Sequence, residues 1–195
     1  MSESHAPVMP LRAAADRTRW LRAHPSATLH DALALFDASA PVSTDDMRGR
    51  WRGSGLPTGH LMDGLLEHYG GFGKHFYDAD HVDPLLFMPF VGHGAPFAVS
   101  PRLMPLGLAR FRGLAHSAFA RTVFGLALPL LRTRHAAARL RHIEYRGVVT
   151  ATMIYDHLPI HDVFRRVDDD TLIGLMDQRG APQPFFFLLR RDTTG

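Results

Sequence analysis

The 195-residue sequence contains no cysteine. That absence excludes a disulfide framework, a thiol nucleophile and any thiolate metal site, and nothing in the chain requires an oxidising compartment. Lysine is almost as scarce, since Lys74 stands alone among 22 basic residues and the rest are arginine. No stretch approaches the roughly 18 consecutive apolar residues of a membrane-spanning helix, and the first residues lack the uninterrupted apolar core of a secretory signal. The chain is therefore expected to be cytoplasmic, with no stable membrane insertion. There is no Gly-x-Ser-x-Gly elbow and no dinucleotide fingerprint after a strand. The run Gly70-Gly71-Phe72-Gly73-Lys74-His75 fails as a phosphate loop, because His68 stands where a glycine is needed and His75 where a serine or threonine is needed. No cofactor is implied.

What is present fits one domain of ordinary composition, 46% hydrophobic and 21% charged. A net charge of +3 and a pI near 9.8 raise the question of nucleic acid. The arginines are spread among apolar residues without a reading motif, which argues against it.

From His142 to Asp192, strand patterning, turn residues and ionisable groups coincide. Ile143 to Tyr155, Ile160 to Val167, Thr171 to Met176 and Phe185 to Leu189 read as four strands of an antiparallel meander. Asp168-Asp169-Asp170 and Asp177-Gln178-Arg179-Gly180 supply turns. Alternation puts Glu144, Arg146, Thr150, Thr152 and Asp156 on one face of the first strand, and Tyr145, Val149, Met153 and Tyr155 on the other. Both faces are mixed, a pattern suited to a closed or curled sheet around a partly polar cavity.

Upstream, residues 1–17 read as a flexible leader and residues 18–195 as a single barrel domain. Thr28 caps a short helix in which Leu29, Ala32, Leu33 and Phe36 recur at helical spacing before Pro41. His60 to Tyr77 reads as a helix followed by a glycine-rich link. Residues 103–141 alternate arginine with large apolar residues, predicting amphipathic helices broken at Pro129 that form a lid over the barrel mouth. Peripheral membrane contact by this segment is a minor alternative.

Gly49-x-Trp51-x-Gly53, followed by Leu56-Pro57-Thr58-Gly59-His60, resembles the bacterial GXWXG protein family, a group of domains of unknown function. The likeness starts at about residue 28, with the GXWXG segment at 28–90. It continues through Gly73-Lys74-x-Phe76, Pro84-Leu85 and Tyr145-Arg146-Gly147. It extends into Tyr155-Asp156-x-Leu158-Pro159-Ile160-x-Asp162-x-Phe164-Arg165 and Pro182-Gln183-Pro184-Phe185-Phe186-Phe187, within a C-terminal meander at 142–192. Gly-x-Trp also resembles the first strand of lipocalin-like calycins, which implies that Arg190 or Arg191 on the last strand stacks on Trp51 and closes the barrel.

Several clusters could carry chemistry. His60, His68, His75 and His81 lie among Asp63, Glu67, Asp78, Asp80 and Asp83, but their spacing matches no metal motif, and solvated helix faces and turns account for them better. Tyr155 to Asp162 places two carboxylates and two imidazoles around a proline turn. A carboxylate desolvated there would shuttle a proton near neutral pH; turn capping and pairing with Arg165 or Arg146 is an equal account. Lys74 would stabilise an enolate, or act as a base or Schiff-base amine, or simply pair with Asp78 or Asp80.

The expected fold is α+β, a calycin-like antiparallel barrel with helical insertions forming a lid. The expected function is a cofactor-independent isomerase moving a double bond by proton transfer on a small hydrophobic carbonyl compound, an enone or lactone. A carboxylate among Asp78, Asp80, Asp156 and Asp162 would shuttle the proton, and Lys74 or Tyr155 would stabilise the dienolate. Trp51, His75, Phe76, Tyr145, Phe185 and Phe187 would line the ligand site. A carrier for fatty acyl or other hydrophobic molecules is the alternative. A homodimer is compatible with the sequence.

Overall fold

The computed structural model describes residues 11–91, 94–103 and 112–194. Its strands are β1 (Gly49–Gly55), β2 (Gly71–Phe76), β3 (Val82–Phe87), β4 (Phe97–Ala98), β5 (Ala138–Tyr145), β6 (Val148–Tyr155), β7 (Ile160–Arg166), β8 (Thr171–Gln178) and β9 (Phe185–Arg191). They pair in the order β2-β1-β9-β8-β7-β6-β5-β3, all antiparallel, and β2 pairs with β3 to close the ring. The result is an eight-stranded, calycin-like barrel with β4 added outside β3, an α+β architecture. Each of the eight strands thus has a partner on both sides. The narrowest seam is β3 to β5, where Val82 faces Ala138.

Alternation divides the barrel into an inside and an outside. Trp51, Phe76, Met153, Phe164 and Phe187 pack inside. Phe186, Leu188, Val163 and Ile173 point out and are covered by Leu35 and Phe36 from α2 (Leu29–Ala38), so that helix flanks the sheet. Thr28 caps it, its hydroxyl accepting from the Asp31 N–H at 3.1 Å.

Four sequence expectations need correction. Ile143 to Tyr155 is not one strand but parts of two. Arg146 (φ 53°) and Gly147 (φ 75°) form a two-residue hairpin turn, which an arginine in a left-handed conformation does not announce. Pairing therefore resets the faces, and Tyr145 packs outside against Phe36 while Met153 and Tyr155 face in. The helix expected over His60 to Tyr77 shrinks to α3 (Leu65–His68), and its glycine-rich link is strand β2. Gly73 has φ +154°, and a Cβ there would run into the Trp51 carbonyl, so glycine is what allows β2 to lie against β1.

The flexible leader expected over residues 1–17 does not hold for residues 11–17. Residues 1–10 lie outside the described residues, but Leu11 is buried and α1 (Ala14–Ala23) is helical, with Arg17 donating to the Val167 carbonyl at 3.1 Å. The insertion at 103–141 ends early, because Ala138 to Arg141 belong to β5. Residues 104–111 of it lie outside the described residues. The remainder forms α4 (Arg112–Ala115), α5 (Ala118–Ala127) and a 3-10 turn over Leu128–Leu131 that contains Pro129.

Candidate functional site

Alternation along β2 directs Phe72, Lys74 and Phe76 into the barrel, and along β7 it does the same for Ile160, Asp162 and Phe164. These two strands stand four steps apart whichever way the ring is followed. Lys74 therefore reaches across the barrel to Asp162, with Nζ 2.8 Å from Oδ2. Its ammonium also donates to the Pro84 carbonyl at 3.1 Å and to the Tyr155 hydroxyl at 3.4 Å. Three acceptors match the three N–H groups of an ammonium. The arrangement suits a fixed charge, and not the neutral amine that a base or Schiff-base role requires.

Pro84 supplies its carbonyl from a stretch where the β2–β3 register shifts twice. A proline has no N–H to give to the ladder, and such irregular pairing is where a strand tolerates one. The ammonium also lies 5.1 Å from the Phe187 ring centre and 5.7 Å from that of Tyr155, within cation–π range.

Asp162 is 1% exposed, and its Oδ1 has no hydrogen-bond partner in the protein. Burial pushes its carboxyl above the ordinary value, while the positive charge of Lys74 acts in the opposite direction. Burial, followed by the charge of Asp162, pushes the Tyr155 phenol well above its ordinary value. Tyr155 is thus a neutral hydroxyl that accepts from Lys74, and its own proton is held toward the neighbouring Asp162 carboxylate.

These three side chains form the floor of a cavity of about 510 Å³. Its walls include Phe72, Met176, Phe185 and Phe187, and its roof is made by Leu114, Phe119, Val123 and Phe124 of α4 and α5. The helical insertion is therefore a lid. Apart from Ser54, Tyr69 and the floor residues, the described lining side chains are apolar. Below the floor the barrel is filled by Trp51, Phe76, Met153 and Phe164. Trp51 donates to the Met47 carbonyl at 2.7 Å, and the Arg191 guanidinium stacks 4.3 Å from its ring centre. Of the two arginines expected to close the barrel, Arg191 does so; Arg190 reaches Ser54 instead.

The structure brings together Lys74, Tyr155, Asp162, Phe185 and Phe187 from the candidates chosen by sequence. The others lie elsewhere. Asp78 holds a turn through the Asp80 and His81 backbone N–H groups, and Asp80 pairs with Arg141 at 2.7 Å on the surface. Asp156 pairs with Arg139 at 3.4 Å. His75 is on the outer face, its ring tilted against that of Tyr77 with ring centres 3.9 Å apart. Trp51 and Phe76 lie beneath the floor, and Tyr145 is outside the barrel. Sequence reasoning missed the Pro84 carbonyl, Ile160 and Met176. The alternation of β7 and β8 carried the signal for the last two, because Ile160 and Met176 each lie an even number of residues from a barrel-facing neighbour.

Residues 34–90 match the family described as GXWXG protein, and residues 136–191 match a domain of unknown function (DUF4334). A crystal structure of a protein from Thermomonospora curvata is 32% identical, with a TM-score of 0.67, over 92% of this chain and 98% of that one. No curated protein matches.

Proposed function

The chain belongs to the GXWXG protein family, and from the floor of its cavity we propose that it is a cofactor-independent isomerase that moves a carbon–carbon double bond next to a carbonyl in a small hydrophobic compound. The observation that carries this reading is the buried, unpartnered Oδ1 of Asp162, set in an apolar cavity beside a fixed cation and a neutral phenol. A base needs a lone pair that no protein donor occupies, and an enolate needs a hydrogen-bond donor that still carries its proton.

The steps follow from the positions. A β,γ-unsaturated ketone or lactone enters with its carbonyl at the floor and its apolar body against Met176, Phe185 and Phe187. Asp162 Oδ1 removes the α proton, and the electron pair moves onto the carbonyl oxygen to give a dienolate. Tyr155 donates to that oxygen, and the Lys74 ammonium behind the phenol stabilises the charge. The proton on Asp162 then returns at the γ carbon, so the double bond shifts into conjugation and the carboxylate is restored. A neutral hydroxyl and a carboxylate share the work as in ketosteroid isomerase, which the handling of charge resembles.

The test is proton NMR in deuterated water with a panel of β,γ-unsaturated ketones and lactones. Deuterium is expected at the α or γ carbon with the native protein and with Asp156→Asn. With Asp162→Asn the rate should fall by about 10²- to 10⁴-fold, the usual worth of a positioned general base. Equal exchange in the Asp162→Asn protein would overturn the assignment.

The enclosed apolar wall also favours a second reading, a carrier for fatty acyl or other hydrophobic molecules in which the floor only fixes a polar headgroup. Line broadening of panel members without any exchange would select it.

A further inference from the structure

A helix on a protein surface ordinarily turns its apolar side inward and its polar side to water. Helix α5 does not. Phe124 and Leu128 pack inward, yet Phe119, Val123, Leu126 and Leu130 recur on the outward side and are 73%, 50%, 65% and 83% exposed. Phe90 lies beside them, packed on Gly125, and Val91, the next residue in the chain, is 78% exposed. Leu103, Leu114, Phe119 and Val123 are at once exposed and part of the cavity lining, so the patch is continuous with the cavity. Isolated exposed apolar residues mean little, but a contiguous group at a cavity mouth marks a contact surface.

The segment that builds this group carries charge of one sign, and the nearest carboxylate beside Arg132 and Arg134 is the buried Asp83. From Pro84 to Ile143 the sequence has eight arginines and no aspartate or glutamate, while the rest of the chain has 14 basic and 19 acidic residues. Arg102, Arg121, Arg132 and Arg134 are exposed, and among the described residues none lies within ion-pair distance of a carboxylate. Arg121 sits 5.9 Å from the ring centre of Phe90, at the edge of the apolar stripe. Among the described residues no helix is long and apolar enough to cross a membrane.

We propose that the outer face of α5 and the arginines around it dock on an anionic lipid bilayer, with the cavity mouth turned toward the acyl chains. Shallow burial of aromatic and aliphatic side chains between arginines that meet phosphate headgroups is the chemistry of an interfacial helix. A hydrophobic ligand then passes between bilayer and cavity without crossing water. The docking rests on the surface alone and holds for an isomerase and for a carrier.

The experiment is flotation of the purified full chain with vesicles of phosphatidylcholine alone, or with about one-third phosphatidylglycerol, beside light scattering of the chain by itself. The native chain is expected to float with the anionic vesicles, at least about tenfold more than with neutral ones, and to be released by molar salt. Leu126→Ser/Leu130→Ser and Arg132→Glu/Arg134→Glu, whose folds are checked by circular dichroism, should each cut flotation by about tenfold or more. No flotation of the native chain would overturn the proposal, as would flotation that both folded variants retain. A stable dimer in light scattering that Leu126→Ser/Leu130→Ser dissociates, without vesicle binding, would overturn it too, because a second copy would then cover the patch.

Discussion

At Asp162 and Lys74 two opposite charges have exchanged water for each other. Removing one partner of a buried pair strands the other, at a cost of about 3–5 kcal/mol, so Lys74→Met should lose roughly that much in urea unfolding. The pH dependence has a definite sign. The folded chain holds the Asp162 proton more tightly than the unfolded chain does, so this residue's contribution is fully present below the unfolded carboxyl value and is lost as pH rises through the raised folded one. Lys74 restrains that rise. Lys74→Met should therefore extend the window upward and regain stability as the pH is lowered, whereas Lys74→Met/Asp162→Asn should show a flatter profile and recover much of the loss. A Lys74→Met profile parallel to the native one would show that the two charges are not coupled. Trp51 offers a second residue-level contrast. Arg191→Ala removes the stacked guanidinium and its hydrogen bonds to the Arg48 and Asp46 carbonyls, both at 3.1 Å, and should cost about 1–2 kcal/mol. Arg190→Ala, which removes one surface contact to Ser54, should be close to neutral in the same melts.

Among the elements, β2 is the one whose sequence conceals it. Glycine at positions 70, 71 and 73 depresses strand propensity and reads as a link, yet Gly73 is what the barrel needs, since its backbone lies where Trp51 leaves no room for a Cβ. Gly73→Ala is expected to destabilise by at least about 2 kcal/mol, combining a disfavoured backbone angle with a backbone clash. Gly53→Ala, whose Cβ would meet the Gly73 Cα at 3.4 Å, should cost less. Thermal melts of the two variants distinguish the cases, and equal loss would deny Gly73 its special place. The strands β7, β8 and β9 were legible because alternate apolar residues carry them. The β5–β6 turn was hidden by Arg146, since only Gly147 advertises a hairpin and Asn or Asp is the usual companion. Lys74 was legible as the sole lysine, and Asp162 as one of four carboxylates. Which carboxylate Lys74 meets was not, because that is set by the closure of a ring whose opposite strands carry them.

For the molecule as a whole, a lid over a cavity of about 510 Å³ falls in the range that takes a small ligand. Ala120 faces that space from α5, so Ala120→Trp should fill it. The expected outcome is loss of binding of an apolar fluorescent probe by at least about tenfold, with little change in Tm, because the indole enters existing space and need not displace packed side chains. Retained probe affinity would place the ligand outside the cavity.

The cross-barrel pair also bears on how the chain is divided. Lys74 and Pro84 lie in the segment matched at 34–90, and Tyr155 and Asp162 in the one matched at 136–191. The closing contact of Trp51 with Arg191 joins the same two segments. Neither segment holds a complete floor or a complete ring, so the two are halves of a single unit. A protein with one half alone would have to borrow the other from a second chain, and an exchange of segments between relatives would have to carry both together.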